Sequence, residues 1–249
     1  MSTQKIAHFT FHGRIQFFLS RHQQDQPIEQ TFDWRGTIKD MVEAIAPPHP
    51  EIDLIVVNGQ SVDWDYIMQD GDEVHVYSDF DAVDVPNKIR LTPAYPGKPK
   101  FILDTHLGRL ASYLRMMGFD TLYRNDYPDD VLAEVSANEE RIVLTRDVGV
   151  LKRGIVVYGY FVRNTDPRKR LLEINERYNL VKYAEPFGRC MSCNGNLREV
   201  AKATIIDDVP ESVAETYDTF HQCLSCEKIY WKGSHYTKME RIIDEVMSS

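Results

Sequence analysis

The 249-residue sequence has no run of about 18 consecutive apolar residues, which excludes a membrane-spanning helix. Its first stretch, MSTQKIAHFTFHGRIQFF, lacks both a long apolar segment and a small-residue cleavage site, so export is not expected and the chain reads as cytoplasmic. Cysteine is scarce: there are four, all in two CxxC pairs. In an unexported chain that usage points away from a disulfide framework and toward a metal. Neither GxGxxG nor a P-loop is present, which removes the usual support for a nucleotide cofactor. What remains, 43% apolar and 27% charged, is the balance of a soluble globular protein, and the length accommodates two or three modest domains.

Cations are also in deficit, with a formal net charge of -9, but the deficit is local. Residues 1–86 hold 5 Lys/Arg against 15 Asp/Glu, whereas residues 87–189 hold 18 against 13. Residues 190–249 return to 6 against 10. Only the middle of the chain therefore carries the surplus of cations suited to phosphates.

The patterning divides the chain into a ubiquitin-like domain (1–80), a linker (81–99), an α/β domain (100–186) and a cysteine module with a C-terminal helix (187–249). In the first, an alternating segment at 5–19 turns at Gly13, and a second strand follows in IEQTFDW. Thr37 stands as N-cap of a helix, IKDMVEAIA, stopped by PPHP. Two further strands lie in IDLIVVNG and DGDEVHVY. This is the β-grasp order. Residues 54–78, LIVVNGQSVDWDYIMQDGDEVHVYS, resemble the ubiquitin-like sulfur carriers of thiamine and molybdopterin synthesis. Those carriers end in an exposed Gly-Gly, whereas this chain continues SDFDAVDVPNKI, so a binding or scaffolding role with a protein partner is expected instead of sulfur transfer. Pro86, Pro93, Pro96 and Gly97 mark the linker.

From Lys100 strands and helices alternate: KFILD, a helix with Leu107, Leu110, Leu114 and Met117 on one face, FDTLYRND, DDVLAEVSA, RIVLTRD, GIVVYGYFV and PRKRLLEINERYN. This succession implies a parallel sheet covered by helices. Sites in such sheets lie beyond the carboxyl ends of the strands. Three successive strands end in acid there, at Asp104, Asp126 and Asp147, and Asp129 follows the second. Neighbouring strands run about 4.8 Å apart, so such tips can share one cation. Carboxylates that close repel unless a divalent metal neutralises them, and oxygen-only ligands favour Mg²⁺ or Mn²⁺. Such a metal lowers the pKa of bound water to about 7, which is what phosphodiester hydrolysis requires. Arg109, Arg115, Arg124 and Arg146 lie close in sequence to these acids as candidate phosphate ligands. The competing reading is that each Asp is a turn former or helix cap, and that Arg109 and Arg115 are ordinary solvated helix residues.

The stretches FILDTHLGRLASYLRMMGFDTLYRND and RIVLTRDVGVLKR, with the cysteine segment ending YWKGSHYTKM, resemble the Mut-7 C-terminal RNase domain family over about residues 100–240. This is a PIN-like nuclease group with a fused zinc ribbon. The resemblance implies metal-dependent cleavage of single-stranded RNA by Asp104, Asp126 or Asp129, and Asp147, with Asp104 and Asp147 as ligands of Mg²⁺ or Mn²⁺. The PIN pattern adds an acid on the second helix, where Asp129, Asp130 and Glu134 all qualify. An inactive RNA-binding or adaptor protein is the alternative. A haloacid-dehalogenase phosphatase needs a second acid two residues after the first, and Asp104 is followed by Thr105 and His106.

Cys190-Met-Ser-Cys193 and Cys223-Leu-Ser-Cys226 are separated by 29 residues. Two CxxC turns in series supply the four tetrahedral thiolates of a structural zinc, and Asn194-Gly195 permits a sharp turn. His221 and His235 are nearby alternates. A redox CxxC would instead need one pair at the start of a helix in a thioredoxin-like unit. Beyond the cysteines, Tyr230, Trp231, Lys232, Tyr236 and Lys238 interleave aromatics with cations. Trp231 and Lys232 are thus candidates for stacking bases and touching phosphates, or Tyr230 and Trp231 fill the small core of the module.

Overall fold

A computed structural model describes residues 4–33 and 35–248. By packing, the chain forms two units: residues 1–95 with 147–161, and residues 96–146 with 162–249.

The first unit opens with β1 (Lys5–His12), whose alternation buries Ala7, Phe9 and Phe11 on one face. Gly13 does turn the chain, at φ +75°, but into a 3-10 segment (Gly13–Phe18) and not directly into a strand. The partner strand β2 comes later, at Ile28–Phe32; Trp34, also expected there, lies outside the described residues. Helix α1 (Ile38–Ile45) begins as expected at Thr37, whose hydroxyl accepts from Asp40 N while Asp40 accepts from Thr37 N, a reciprocal capping box. Strands β3 (Leu54–Val57), β4 (Gln60–Val62) and β5 (Glu73–Tyr77) complete a five-stranded sheet in the order β2-β1-β5-β3-β4. β1 runs parallel to β5, and the other neighbours are antiparallel. Ile38, Met41 and Val42 of α1 close the core over Phe9, Ile55 and Val76. This is the β-grasp arrangement. The proline-marked stretch that follows is irregular but bound: Leu91 N donates to Asp53 O at 3.0 Å and Thr92 Oγ1 to Ile52 O at 2.8 Å.

The second unit is built on β6 (Phe101–Leu103), β7 (Thr121–Tyr123) and β8 (Ile142–Thr145), all parallel with β6 central. β6 and β8 are wholly buried, the signature of strands covered on both faces. Helix α2 (Gly108–Met116) joins β6 to β7, and Leu107, Leu110, Leu114 and Met117 are all fully buried, as their spacing predicts. Gly118 ends it at φ +88°, where a Cβ would stand 2.2 Å from Glu185 O, so only glycine fits. Helix α3 (Asp129–Glu139) joins β7 to β8.

The chain then enters the first unit for fifteen residues, with α4 (Val148–Leu151) and the short strand β9 (Gly159–Phe161). His49 bonds Val156 O at 2.8 Å, and Lys152 Nζ donates to Glu43 O. Glu51, with no solvent exposure, accepts from Phe161 N at 2.6 Å and from Arg14 Nε at 3.3 Å. GIVVYGYFV was expected as the fourth strand of the α/β sheet, and its Gly159–Phe161 is the last strand in the sheet order β7-β6-β8-β9. What the periodicity did not show is that this stretch also packs with the N-terminal unit.

Helix α5 (Pro167–Tyr178), capped by Asp166, returns to the second unit and packs on α2. The remainder forms an antiparallel sheet of β10 (Leu197–Val200), β11 (Phe220–Cys223) and β12 (Ile229–Trp231), with α6 (Glu211–Thr216) between β10 and β11. Phe220, Ile205, Val209 and Ala214 form its small core. Helix α7 (Ser234–Met247) packs on α5, and Tyr236 stacks on Phe187 at 4.4 Å.

Truncating Glu51 leaves a buried amide unpaired and removes the nearer of the two carboxylates beside Arg14. Glu51→Ala is expected to cost about 3 kcal/mol of stability and to accelerate hydrogen exchange in residues 156–161 before the β1–β5 core. Equal exchange rates in variant and parent would show that Glu51 does not hold this segment.

Candidate metal centre and acidic site

The two CxxC turns bring Cys190, Cys193, Cys223 and Cys226 together, with all four sulfurs within 4.8 Å of one another. Cys190 Sγ lies 3.6 Å from Cys226 Sγ, and Cys193 Sγ 3.4 Å from Cys223 Sγ. A disulfide would need about 2.05 Å. Tetrahedral zinc with bonds of about 2.3 Å sets sulfurs about 3.8 Å apart, so the set fits zinc. Each turn directs backbone N–H groups at its first sulfur: Cys193 N to Cys190 Sγ, then Ser225 N and Cys226 N to Cys223 Sγ. A Cβ on Gly195 would meet Cys223 Sγ at 2.9 Å and Ser225 Oγ at 2.5 Å, so a side chain there would push the turns apart. Four sulfurs close the shell and leave no position for water, which makes the centre structural. The side chain of His235 lies outside the described residues.

Burial pushes the Cys190 thiol up, but the Tyr230 hydroxyl at 3.1 Å and the N–H groups of Cys193 and Ser192 outweigh it and bring the thiol down to about 6. Burial and the neighbouring Cys190 sulfur push Tyr230 up, so its phenol keeps the proton it donates. Tyr230 thus serves the metal centre, while Trp231 packs half-buried against the ribbon core.

Arg115 sits on the inner side of this centre. Its side chain is buried, and it donates to Thr121 O at 2.9 Å, Met191 O at 3.1 Å and Ser192 O at 2.9 Å. The last two carbonyls belong to the first CxxC turn. Burial pulls the guanidinium down from its ordinary value and Cys190 and Cys193 push it back up; it remains a cation beside a centre that would carry net negative charge with four thiolates on one zinc. The residue singled out as a phosphate ligand therefore spends its donors on backbone. Nearby, Asp120 takes both Arg141 nitrogens, at 2.9 and 3.1 Å, and the Asn194 amide at 2.7 Å. Burial raises the Asp120 carboxyl, but Arg141 and Asn194 overcome this and hold it below its ordinary value. Its contribution to stability is complete at neutral pH and disappears only as acid carries the pH down through that lowered value. Nothing in the sequence singles out Asp120 or Arg141; Asn194, beside Cys193, was visible only as a turn former.

The acids follow their strands. Asp104 comes directly after β6 and is half-buried. Its Oδ2 accepts from the buried Thr145 Oγ1 at 2.7 Å, and its Oδ1 from Thr105 N and Thr105 Oγ1. Two residues on, His106 lies in the left-handed region at φ +66°, and Arg170 holds its carbonyl at 3.2 Å. Such a conformation costs a non-glycine residue energy and is enriched at functional sites. Asp126 is exposed and paired with Arg124 by two bonds of 3.0 Å. Asp129 is exposed at the first position of α3, where the helix dipole favours its charge. Asp104, Asp126 and Asp129 do not form a converged ligand set among the described residues. Asp147 follows β8 by two residues, and its side chain caps α4 by accepting from Gly149 N. Of the expected phosphate ligands, Arg109 is exposed over the Tyr113 ring, and Arg146 is exposed with one nitrogen on the carbonyls of Val162, Arg163 and Asn164. Lys232 is exposed over Tyr236.

Cys223→Ser is expected to lower zinc content from one per chain to well below one by elemental analysis. Hydrogen exchange at residues 188–197 should rise with it, because the carbonyls that Arg115 grips belong to a turn that the metal shapes. Full zinc occupancy in this variant would mean that three thiolates suffice.

Comparison with known families gives two matches. The model of the Mut7-C RNAse domain matches residues 99–243, and that of the Mut7-C ubiquitin domain matches residues 4–84. No curated protein and no solved structure matches the chain. The first match alone covers more than half of the sequence, over the parallel sheet and the cysteine centre together; the chain belongs to the Mut7-C RNAse domain family, with a Mut7-C ubiquitin domain ahead of it.

Proposed function

We propose that the protein is a metal-dependent endoribonuclease that cleaves single-stranded RNA. The observation that carries this reading is Asp104: a carboxylate at the carboxyl end of the central parallel strand, oriented by Thr145 and Thr105 beside a strained turn, within the segment that matches the RNase family. Asp104 and Asp147 are the residues that would hold Mg²⁺ or Mn²⁺, with a further carboxylate from the start of α3. For that third group Asp129 is favoured over Asp126, whose charge Arg124 already compensates. The donor set is oxygen throughout, which suits these hard cations. When bound, the metal supplies a nucleophilic hydroxide and charge neutralisation at the phosphate. The protein's own contributions are to orient the Asp104 carboxylate through Thr145 and to offer Arg109 and Arg146 to phosphate oxygens.

A second reading, an RNA-binding adaptor without turnover, draws on the cap that Asp147 makes and the ion pair of Asp126. The zinc centre has the same structural role under either reading. The ubiquitin-like domain, as part of this proposal, recruits a protein partner.

Cleavage of a labelled single-stranded RNA with Mn²⁺, with Mg²⁺ and with neither separates the two. Metal-dependent cleavage that falls by at least about a hundredfold in both Asp104→Asn and Asp147→Asn is the expected result. Thr145→Val should reduce it by a smaller factor, since it loosens Asp104 without removing it. Binding without cleavage across a broad RNA panel would favour the adaptor.

A further inference from the structure

The second unit holds a cleft of about 850 Å³ between α2, the zinc ribbon, α6 and α7. Its floor is one face of α2, Arg109, Ser112, Tyr113 and Met116, at the i, i+3, i+4, i+7 spacing. The floor therefore starts at Arg109, five residues after Asp104, and runs along the helix toward the first CxxC turn, which Arg115 fixes from the inner side. Four cations line the cleft: Arg109, Arg168, Lys228 and Lys238. No carboxylate is among the lining residues. All four are exposed. Between them stand aromatic surfaces, chiefly Tyr113, Tyr217, Trp231 and Tyr236. In a chain with net charge -9, a cleft that gathers cations and excludes acids is a local departure.

We propose that this cleft binds a stretch of single-stranded RNA, with phosphates on Arg109, Arg168, Lys228 and Lys238 and a base stacked on Trp231. The inference rests on the nuclease reading for its choice of RNA and extends it by giving the strand a track away from the acids. The chemistry is that of a single-strand platform: cations along the backbone path and rings that accept any base. A duplex presents no unstacked base to Trp231 and leaves that half of the cleft without a ligand. The volume lies within the range of about 300–1,000 Å³ typical of ligand-holding clefts. Sequence reading reached Arg109 and the strip Tyr230, Trp231, Lys232, Tyr236 and Lys238, but not Arg168 and Lys228, which come from separate segments that only the fold unites.

The test uses the zinc-loaded full chain carrying Asp104→Asn, without added Mg²⁺ or Mn²⁺, so that turnover plays no part. The probe is a short fluorescein-labelled oligouridylate, read by anisotropy across salt concentrations. Arg168→Glu with Lys238→Glu alters exposed side chains only and should preserve zinc content and Tm. It is expected to weaken binding by about tenfold or more and to reduce the log–log salt slope by about 0.7 for each phosphate that the protein no longer neutralises. Oligouridylate should quench tryptophan fluorescence, and Trp231→Phe should abolish the quench, since Trp34 and Trp64 lie outside the second unit. Unchanged affinity and salt slope in the double variant would overturn the proposal. So would competition by an acidic peptide of equal charge as effective as the oligonucleotide's own. Cleavage by the chain with native Asp104 is scored separately: binding in the cleft without cleavage leaves this inference standing and removes the nuclease reading, while cleavage with no cleft dependence does the reverse.

Discussion

Arg115 is buried, charged and satisfied almost entirely by backbone carbonyls, and the assembly of the second unit turns on that arrangement. A guanidinium removed from water needs partners on several donors, and the chain supplies them from two places: the start of β7 and the first zinc turn. Leaving either place would strand a buried charge. The ribbon is therefore held to the sheet by a desolvation constraint in addition to the covalent chain. Asp120, Arg141 and Asn194 repeat the device a few residues away, with the carboxylate between a strand-entry arginine and the residue beside Cys193. The four cysteines gather the turn, and the turn presents the carbonyls and the amide that the sheet grips.

The same unit separates two kinds of chemistry. At the cysteine centre every ligand position is filled by protein, and Tyr230 and backbone N–H groups distribute the excess negative charge. At the ends of β6 and β7 the carboxylates are half-buried or exposed, and each is oriented by its own local partners. Asp104 is the most constrained of those in the second unit, since both of its oxygens accept from threonines. The cations of the unit divide in the same way: the buried ones, Arg115 and Arg141, hold structure, and four of the exposed ones line the cleft beside α2.

Much of this was legible in the sequence, for reasons that differ by element. The zinc centre was readable because two CxxC turns impose their own local geometry and need only be brought together. The α1 cap was readable because Thr37 and Asp40 form a closed local pair, and α2 because 107, 110, 114 and 117 leave no polar position on the buried face. Arg115 was misjudged because its partners are carbonyls 76 and 77 residues away, and carbonyls have no sequence signature. The apolar stretch after Gly13 folded as a 3-10 turn, which delivers Ile15, Phe18 and Leu19 to the core without strand alternation. At the acidic site the pattern located strand ends but carried no information on whether each carboxylate is capped, paired or free, and Asp126 and Asp147 have local partners that only coordinates reveal.

The fifteen residues of α4 and β9 lie late in the chain yet belong to the N-terminal unit, where Glu51, His49 and the Phe17–Phe18 pair receive them. During synthesis the first 95 residues leave the ribosome before Phe161, whose amide bonds Glu51 and whose ring meets Phe17 and Phe18, has been made. Fifty-one residues of the other unit must be made before it arrives. The amino-terminal domain, first to be translated, is thus not first to be finished, and the nascent chain carries an incomplete apolar surface through the synthesis of its neighbour.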